Sequence, residues 1–170
     1  MKYHSLIAPL LLSLAGAPAW SQSMSPHHDT AHGHGDAIGH AGTAAQVSRT
    51  IKVDMHDTMR FSPETIRVKA GDTVRFVLSN RGKVTHEMVF GTDAQLQAHY
   101  AAMLKHPEME HADDNQITLA PGKSGELIWT FSQTGTVNFA CLQPGHYDAG
   151  MKGSVVVKAA AAAAGNAHKH

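Results

Sequence analysis

The most informative stretch of the chain is residues 141–151, Cys-Leu-Gln-Pro-Gly-His-Tyr-Asp-Ala-Gly-Met. This stretch contains the only cysteine of the chain, and a histidine and a methionine follow it at short spacings. Thiolate, imidazole and thioether are soft or borderline ligands of the kind that suits copper. Pro144-Gly145 predicts a turn between Cys141 and His146. The stretch therefore predicts three of the four ligands of a copper site, with Met151 as the third.

A trigonal copper site with two histidines, one cysteine and a weak axial methionine needs one more histidine, from a strand upstream. We predict that this ligand is His86, which lies in the segment 84–90 (VTHEMVF). His56 and His99 are the alternatives, but His56 lies at the end of a predicted strand and His99 in a predicted helix. The predicted ligand set is His86, Cys141, His146 and Met151.

The central part of the chain alternates apolar and polar residues with the period of β-strands. The alternation covers residues 50–54, 65–69, 73–79, 125–131 and 153–158. Val137, Phe139 and Cys141 share one phase, which predicts that the thiol faces the core. Short alternating strands separated by turn residues such as 70–72 (AGD) predict an all-β sandwich or barrel.

Residues 93–104 depart from the strand pattern, because they are rich in helix-forming residues and because Thr92 or Asp93 can cap a helix. Methionines and histidines recur in and after this predicted helix, at His99, Met103, His106, Met109 and His111. Mixed thioether and imidazole groups suit Cu(I), so we predict a second copper site here. The alternative is a helix whose methionines pack in the core and whose histidines lie at the surface. A smaller group consists of Met55, His56 and Met59. It too is either a copper site or a set of packed methionines with a histidine at the surface.

The N-terminus has the parts of a secretory signal peptide. Lys2 is basic, residues 6–15 are apolar but too few to span a bilayer, and residues 17–19 (APA) resemble a cleavage site. We therefore predict a signal peptide over residues 1–21 and export to a bacterial periplasm. No insertion into the membrane is expected after cleavage.

The composition predicts three further segments of the chain. Residues 22–46 have almost no bulky apolar side chains, so they are predicted to be disordered. The histidines of this segment are His27, His28, His32, His34 and His40. They either bind metal ions weakly or belong to a plain soluble linker. The folded domain is predicted to cover residues 47–158, and residues 159–170 are predicted to form a flexible tail.

Charge and cysteine content limit the partners and the cysteine chemistry that can be expected of this chain. Lys and Arg together number 14, as do Asp and Glu, so the zero net charge gives no reason to expect a nucleic-acid partner. A single cysteine cannot form an internal disulfide. A free thiol in an oxidising compartment is a liability unless something occupies it, and copper bound to Cys141 would do so.

The segment 47–158 resembles the cupredoxins, the type 1 or blue copper proteins. The Cys-x4-His-x4-Met spacing resembles the ligand loop of their rusticyanin-like members. The wider pattern is similar to that of the periplasmic cupredoxins of copper tolerance, over residues 57–63 (DTMRFSP), 86–91 (HEMVFG) and 103–111 (MLKHPEMEH). The resemblance implies a Greek-key, two-sheet sandwich with a short helix or long loop insertion. Glu87 departs from the family pattern, because many electron-transfer members have Asn or Ser there.

The resemblance and the extra soft ligands together imply a function. We expect a periplasmic copper-binding protein of copper tolerance, with one copper in the site of two histidines, a cysteine and a methionine, and more in the Met/His segments. Its expected partners are copper ions and a periplasmic redox or copper-export protein. The alternative is a soluble periplasmic electron carrier, which needs only the blue site and a docking patch.

An enzyme is not expected. Multicopper oxidases join two kinds of copper centre through a His-Cys-His sequence, but here Ala140 and Leu142 flank Cys141. A dinuclear electron-transfer centre needs two cysteines, and the chain has one. Oxidation of Cu(I) at the Met/His cluster, with the blue site accepting the electron, is the remaining enzymatic alternative.

Overall fold

The computed structural model describes residues 37–107 and 113–160. These residues form ten strands and one α-helix. In chain order the elements are β1 (His40–Ala41), β2 (Arg49–His56), β3 (Arg60–Ser62), β4 (Thr65–Lys69), β5 (Thr73–Asn80), β6 (His86–Gly91), α1 (Asp93–Lys105), β7 (Gln116–Leu119), β8 (Ser124–Thr130), β9 (Gly135–Ala140) and β10 (Lys152–Lys158). A short 3-10 helix, Ala44–Gln46, lies between β1 and β2.

The strands form two five-stranded sheets, ordered β1-β8-β5-β2-β3 and β4-β10-β9-β6-β7. Neighbouring strands are antiparallel except for two parallel pairs, β2 with β5 and β4 with β10. Most neighbours in a sheet are not consecutive in the chain, so the connections cross from one sheet to the other. The predicted all-β, two-sheet Greek-key sandwich with a short helix is confirmed.

The two sheets pack around aromatic side chains, and Phe90 of β6 lies among them. Its ring centroid is 5.3 Å from that of Phe76 and 5.7 Å from that of Trp129. Phe131 and Phe139 meet the same ring edge-on, at 5.9 and 6.1 Å. Each such pair contributes about 0.5–1.5 kcal/mol beyond the area it buries. These contacts fix the position of β6 along the sheet.

The strands predicted from alternation match β2, β4, β5, β8 and β10, with ends that differ by at most two residues. Three strands were not predicted, β1, β3 and β7, and they are two, three and four residues long. Such short runs carry too little periodicity to be distinguished from loops. Their positions depend on pairing with strands that are distant in the chain.

The predicted helix is confirmed as α1, and Thr92 caps it. Thr92 Oγ1 accepts a hydrogen bond from the backbone N–H of Gln95 at 3.3 Å, and Gln95 Oε1 accepts one from the Thr92 N–H at 2.8 Å. This reciprocal capping box satisfies two donors at the helix start. The buried face of α1 packs on the outer side of β6 and β9, through Leu96, Tyr100, Met103, Val89 and Ala140. No helix in the described part of the chain is long and apolar enough to cross a membrane.

The fold begins before residue 47, which corrects the predicted disorder for residues 37–46. Ile38 is 2% exposed, and its carbonyl accepts a hydrogen bond from the Trp129 ring N–H at 2.6 Å. His40 then pairs with Thr130 in β1. These contacts join residues about ninety positions apart, so composition alone does not reveal them. The predicted signal peptide, residues 22–36 and residues 161–170 lie outside the described residues.

We predict that Ile38→Ala lowers the free energy of unfolding by about 2–5 kcal/mol, because it leaves a cavity in the core. Urea unfolding of the copper-free protein measures this. Val84→Ala is the control, since Val84 is 42% exposed and its loss should cost less than about 0.5 kcal/mol. Equal stabilities of the two variants would show that residues 37–46 do not belong to the cooperative fold.

Candidate metal centre

Three of the predicted ligands meet at one end of the sandwich. The ligand atoms of His86, Cys141 and His146 all lie within 4.8 Å of one another. His86 is the first residue of β6, Cys141 directly follows β9, and these two strands are neighbours in one sheet. His146 lies in the loop after Cys141. Among the residues that the structure describes, this is the one group of three or more His, Cys, Asp or Glu side chains with metal-binding spacing.

The Cys141 thiol is fully buried and sits at the centre of this group. Its Sγ accepts a hydrogen bond from the backbone N–H of Glu87 at 3.4 Å and lies 3.3 Å from His146 Nδ1. Burial raises the pKa of Cys141 to about 12, and the nearby Glu87 carboxylate adds to the shift, whereas hydrogen bonds from backbone N–H groups oppose it. The thiol is therefore protonated at neutral pH and must lose its proton to bind a metal ion.

One ring nitrogen of His86 has a hydrogen-bond partner, whereas the other has none among the described residues. Its side chain is fully buried, and Nε2 lies 3.0 Å from Asp57 Oδ1. Nδ1 is buried with no hydrogen-bond partner among the described residues. A buried polar atom without a partner is costly and calls for an explanation. A metal ion held between this nitrogen, a thiolate and a second imidazole provides one, because that donor set suits copper.

His146 is half-buried, unlike His86. The two imidazole rings lie with their centroids 5.0 Å apart and are tilted by 50°. Burial lowers the pKa of His146, and the nearby His86 ring lowers it further. The neutral imidazole, which is the form that binds metal ions, is therefore favoured at neutral pH.

Met151 closes the loop that carries Cys141 and His146. Its backbone N–H donates to the His146 carbonyl at 3.0 Å, and its own carbonyl accepts from the Cys141 N–H at 3.0 Å. The Met151 side chain is fully buried in the same apolar cluster as Cys141. Pro144-Gly145 forms the predicted turn, and Gly145 has a φ of +84°, a conformation that favours glycine.

Glu87 holds the loop to β6, a role that the sequence did not reveal. Its side chain is buried, and Oε1 accepts a hydrogen bond from the Leu142 N–H at 2.9 Å. Oε2 accepts from Thr118 Oγ1 and from Gln143 Nε2, both at 3.2 Å. Three donors suit an acceptor-only carboxylate. The signal in the sequence was an acidic residue inside the otherwise uncharged strand segment 84–90.

Contacts from α1 and β3 hold the outer part of the loop. Tyr100 of α1 donates a hydrogen bond to Asp148 at 2.8 Å and accepts one from the Gly145 N–H at 3.1 Å. Burial and the nearby Asp148 carboxylate raise the pKa of Tyr100, so the hydroxyl stays neutral and able to donate. On the other side, Arg60 donates to the Ala149 carbonyl at 3.0 Å. The loop is therefore fixed from both sides.

Asp57 lies behind His86, in the turn between β2 and β3. Its Oδ2 accepts a hydrogen bond from the Lys83 backbone N–H at 2.7 Å. That hydrogen bond, followed by the one to His86, lowers the pKa of Asp57. Asp57 begins the segment 57–63 that resembles the copper-tolerance cupredoxins, but its contact with His86, 29 residues away in the chain, was not predicted.

The second predicted copper site lies partly outside the described residues and stays a prediction. Met103 is 4% exposed and packs under the ligand loop with Leu96 and Leu142. His106 is exposed, and His99 is half-buried on α1. Met109 and His111 lie outside the described residues. In the smaller group, Met55 is also fully buried in the core.

Comparison with known proteins agrees with this geometry. The family described as copper binding proteins, plastocyanin/azurin family, matches residues 47–158. A protein of Rubrivivax gelatinosus named copper-resistant cuproprotein CopI is 44% identical over 91% of this chain and 99% of its own length. A protein of Pseudomonas aeruginosa with the same name is 40% identical over 74% of this chain and 84% of its own.

Among solved structures, auracyanin B is similar to this chain. The two superpose with a TM-score of 0.59 and are 25% identical, over 71% of this chain and 96% of the auracyanin chain. The similarity extends over nearly all of that smaller protein. It therefore places the two-sheet sandwich, and not only the ligand loop, among known folds.

We predict that Glu87→Ala destabilises the copper-free protein by about 1–3 kcal/mol, because it leaves the buried Leu142 N–H without an acceptor. Glu87→Gln should cost less, since its amide oxygen can still accept that hydrogen bond. Urea unfolding measures both. The control is Glu126→Ala, which removes a 52% exposed side chain that pairs with Arg75 at the surface, and should cost less than about 1 kcal/mol. Equal costs for Glu87→Ala and Glu126→Ala would contradict the role of Glu87.

Proposed function

Because the chain belongs to the plastocyanin/azurin family of copper-binding proteins, we propose that it holds one copper ion at the centre described above and serves copper tolerance in the periplasm. The proposed ligands are His86 Nδ1, Cys141 Sγ and one ring nitrogen of His146, with Met151 as the weak axial ligand. The observation that carries this assignment is the buried Nδ1 of His86, which has no hydrogen-bond partner among the described residues, in a side chain grouped with a buried thiol and a second imidazole.

The protein supplies a rigid and largely dry environment for this ion. His86, Cys141 and Met151 are fully buried, so their positions are fixed by the core. Copper bound there would change between Cu(II) and Cu(I), at a potential that the axial ligand and the hydrogen bonds to sulfur adjust. The Glu87 N–H that donates to Cys141 is one such bond. His146 is the ligand nearest to solvent, so partners would exchange copper or electrons from its side.

The proposed role in copper tolerance is supported by relatives that are similar well beyond the ligand loop. Two proteins named as copper-resistant are 44% and 40% identical to this chain over most of its length. The composition is in keeping with that role, because the chain contains 14 histidines and 8 methionines, far more than one centre needs. Export by the predicted signal peptide would place the protein in the compartment where copper enters the cell envelope.

Additional copper would bind where soft ligands are not already used in packing. Met103 is in the core, so the proposal for a second site rests on Met109 and His111, together with the exposed His106. The histidines of residues 22–36 would add weak sites. Additional sites of this kind would distinguish a protein that sequesters copper from an electron carrier, which needs only one copper ion.

We predict that one equivalent of Cu(II) produces an intense thiolate charge-transfer band in the visible spectrum. Uptake at pH 8 should release about one proton, because the pKa of Cys141 is about 12 in the copper-free protein. The apparent affinity should therefore rise about tenfold per pH unit between pH 7 and 9. Spectroscopic titration and calorimetry in two buffers of different ionisation enthalpy measure these quantities.

The controls for this titration are cysteine, histidine and methionine variants. Cys141→Ser and His86→Ala should lose the band, whereas His56→Ala, which removes the rival histidine, should keep it. Copper bound after the first equivalent should decrease in a Met109→Leu, His111→Ala variant and not in Met103→Leu. A band that survives His86→Ala but not His56→Ala would overturn the ligand assignment.

We predict that a strain lacking this protein stops growing at a lower copper concentration than its parent, and grows normally without added copper. Expression of the wild-type chain should restore tolerance, and expression of Cys141→Ser should not. Growth curves over a copper series measure this. Unchanged copper sensitivity together with slower respiratory electron transfer would instead favour the alternative function, a soluble electron carrier.

A further inference from the structure

The two ring nitrogens of His86 are not equivalent. Nε2 lies 3.0 Å from Asp57 Oδ1, and an ionised carboxylate can only accept hydrogen bonds. The proton of the neutral ring must therefore be on Nε2. Nδ1 is then left with a free lone pair, and it is buried without a hydrogen-bond partner among the described residues. It belongs to the ring whose ligand atom lies within 4.8 Å of those of Cys141 and His146.

The Asp57 carboxylate is itself held in position. While Oδ1 faces His86, Oδ2 accepts the Lys83 backbone N–H at 2.7 Å. Both partners are donors, so both oxygens must be acceptors. Asparagine has one acceptor oxygen and one amide donor group, so with its oxygen on the Lys83 N–H it would present a donor to Nε2 and would fit the Nδ1–H tautomer instead. The Nε2–H tautomer of His86 thus requires a carboxylate and not merely a polar side chain.

The backbone leaves room for this pair at Gly82. A Cβ atom on Gly82 would overlap the Asp57 carboxylate and would lie 3.1 Å from His86 Nε2. The Gly82 N–H donates to Asn80 Oδ1 at 2.8 Å, and Asn80 is buried. Asn80 also donates to the carbonyls of Val84 and Leu119, at 2.8 and 2.9 Å. The segment 81–85 is therefore fixed with its glycine against the carboxylate.

We propose that Asp57 is a positioning residue of the copper centre, which fixes His86 in the tautomer with a free Nδ1 and strengthens that nitrogen as a ligand of Cu(II). This inference rests on the proposed function, in which His86 binds copper. Carboxylates that accept the second N–H of a ligating histidine raise its basicity, and losing them typically costs about 10–100-fold in metal affinity. The negative charge behind the ring also favours Cu(II) over Cu(I), so it lowers the reduction potential.

The competing interpretation is an ordinary surface contact that stabilises the β2–β3 turn. The Asp57 side chain is 40% exposed, and a typical hydrogen bond contributes only about 0.5–1.5 kcal/mol to stability. Stability measurements would not separate the two interpretations. The tautomer of His86 and the potential of the bound copper do separate them, since a contact that only stabilises the turn changes neither.

The experiment compares Asp57→Ala, Asp57→Asn and Gly82→Ala with the wild-type chain. The control is Asp54→Asn, which removes the same charge from a side chain of similar exposure, 39%, whose partner at 3.0 Å is Arg81 and not a ligand. Nitrogen-15 NMR of the copper-free protein reports the protonated nitrogen of His86. Cu(II) affinity and the reduction potential at pH 7 are then measured on the loaded proteins.

We expect the wild-type and Asp54→Asn proteins to hold the proton on Nε2 and to bind Cu(II) within about twofold of each other. Asp57→Ala should populate the Nδ1–H tautomer, lose about 10–100-fold in Cu(II) affinity and raise the potential. Asp57→Asn should be intermediate. Gly82→Ala should resemble Asp57→Ala although it keeps the charge, because its methyl group displaces the carboxylate.

The inference is overturned if Asp57→Ala keeps the wild-type tautomer, or if its copper affinity and potential match those of Asp54→Asn. The NMR comparison needs no copper, so it tests the tautomer independently of the proposed function. A wild-type protein that gives no charge-transfer band with Cu(II) would instead overturn the proposed function.

Discussion

The burial of β6 on both faces is the constraint on which the metal centre depends. His86, Met88 and Phe90 face the core between the sheets, whereas Glu87 and Val89 face α1 and the ligand loop. A slip of one residue would exchange these two sets, placing a carboxylate in the aromatic core. The register of β6 is therefore strongly specified. It sets the positions of the His86 ring and of the Glu87 carboxylate, which accepts hydrogen bonds from Leu142 and Gln143 of the loop.

Burial makes the copper-free centre unfavourable and prepares it for an ion. Moving the Cys141 thiol out of water raises its pKa to about 12, so copper must displace a proton that the protein holds firmly. The same burial leaves His86 Nδ1 without a hydrogen-bond partner in the part of the chain that the structure describes. These costs are offset by the aromatic core and by the hydrogen bonds that close the loop. Because these costs fall on the copper-free state, binding of an ion at the proposed ligands would relieve them.

The sequence was informative where function depends on local spacing. The loop from Cys141 to Met151, the phase of Val137 with Phe139, and the Thr92 cap all follow from residues close together in the chain. Contacts between distant residues could not be predicted, such as Trp129 with Ile38, Glu87 with Leu142, or His86 with Asp57. Met103 shows a different limit of the sequence. Helical spacing places a methionine equally well on a core face or in a ligand cluster, and the packing of α1 on β6 then shows that Met103 is buried.

Two carboxylates near the centre would affect the oxidation state of a bound copper ion, which matters for both copper handling and electron transfer. Asp57 contacts the ring of His86, and Glu87 contacts the loop directly after Cys141. Charges act more strongly in a buried, low-dielectric site than in water, and negative charge favours the higher oxidation state of a bound metal. A protein that takes up and retains Cu(II) gains from these charges. The departure from Asn or Ser at Glu87 is therefore physically consistent with the proposed role in copper tolerance.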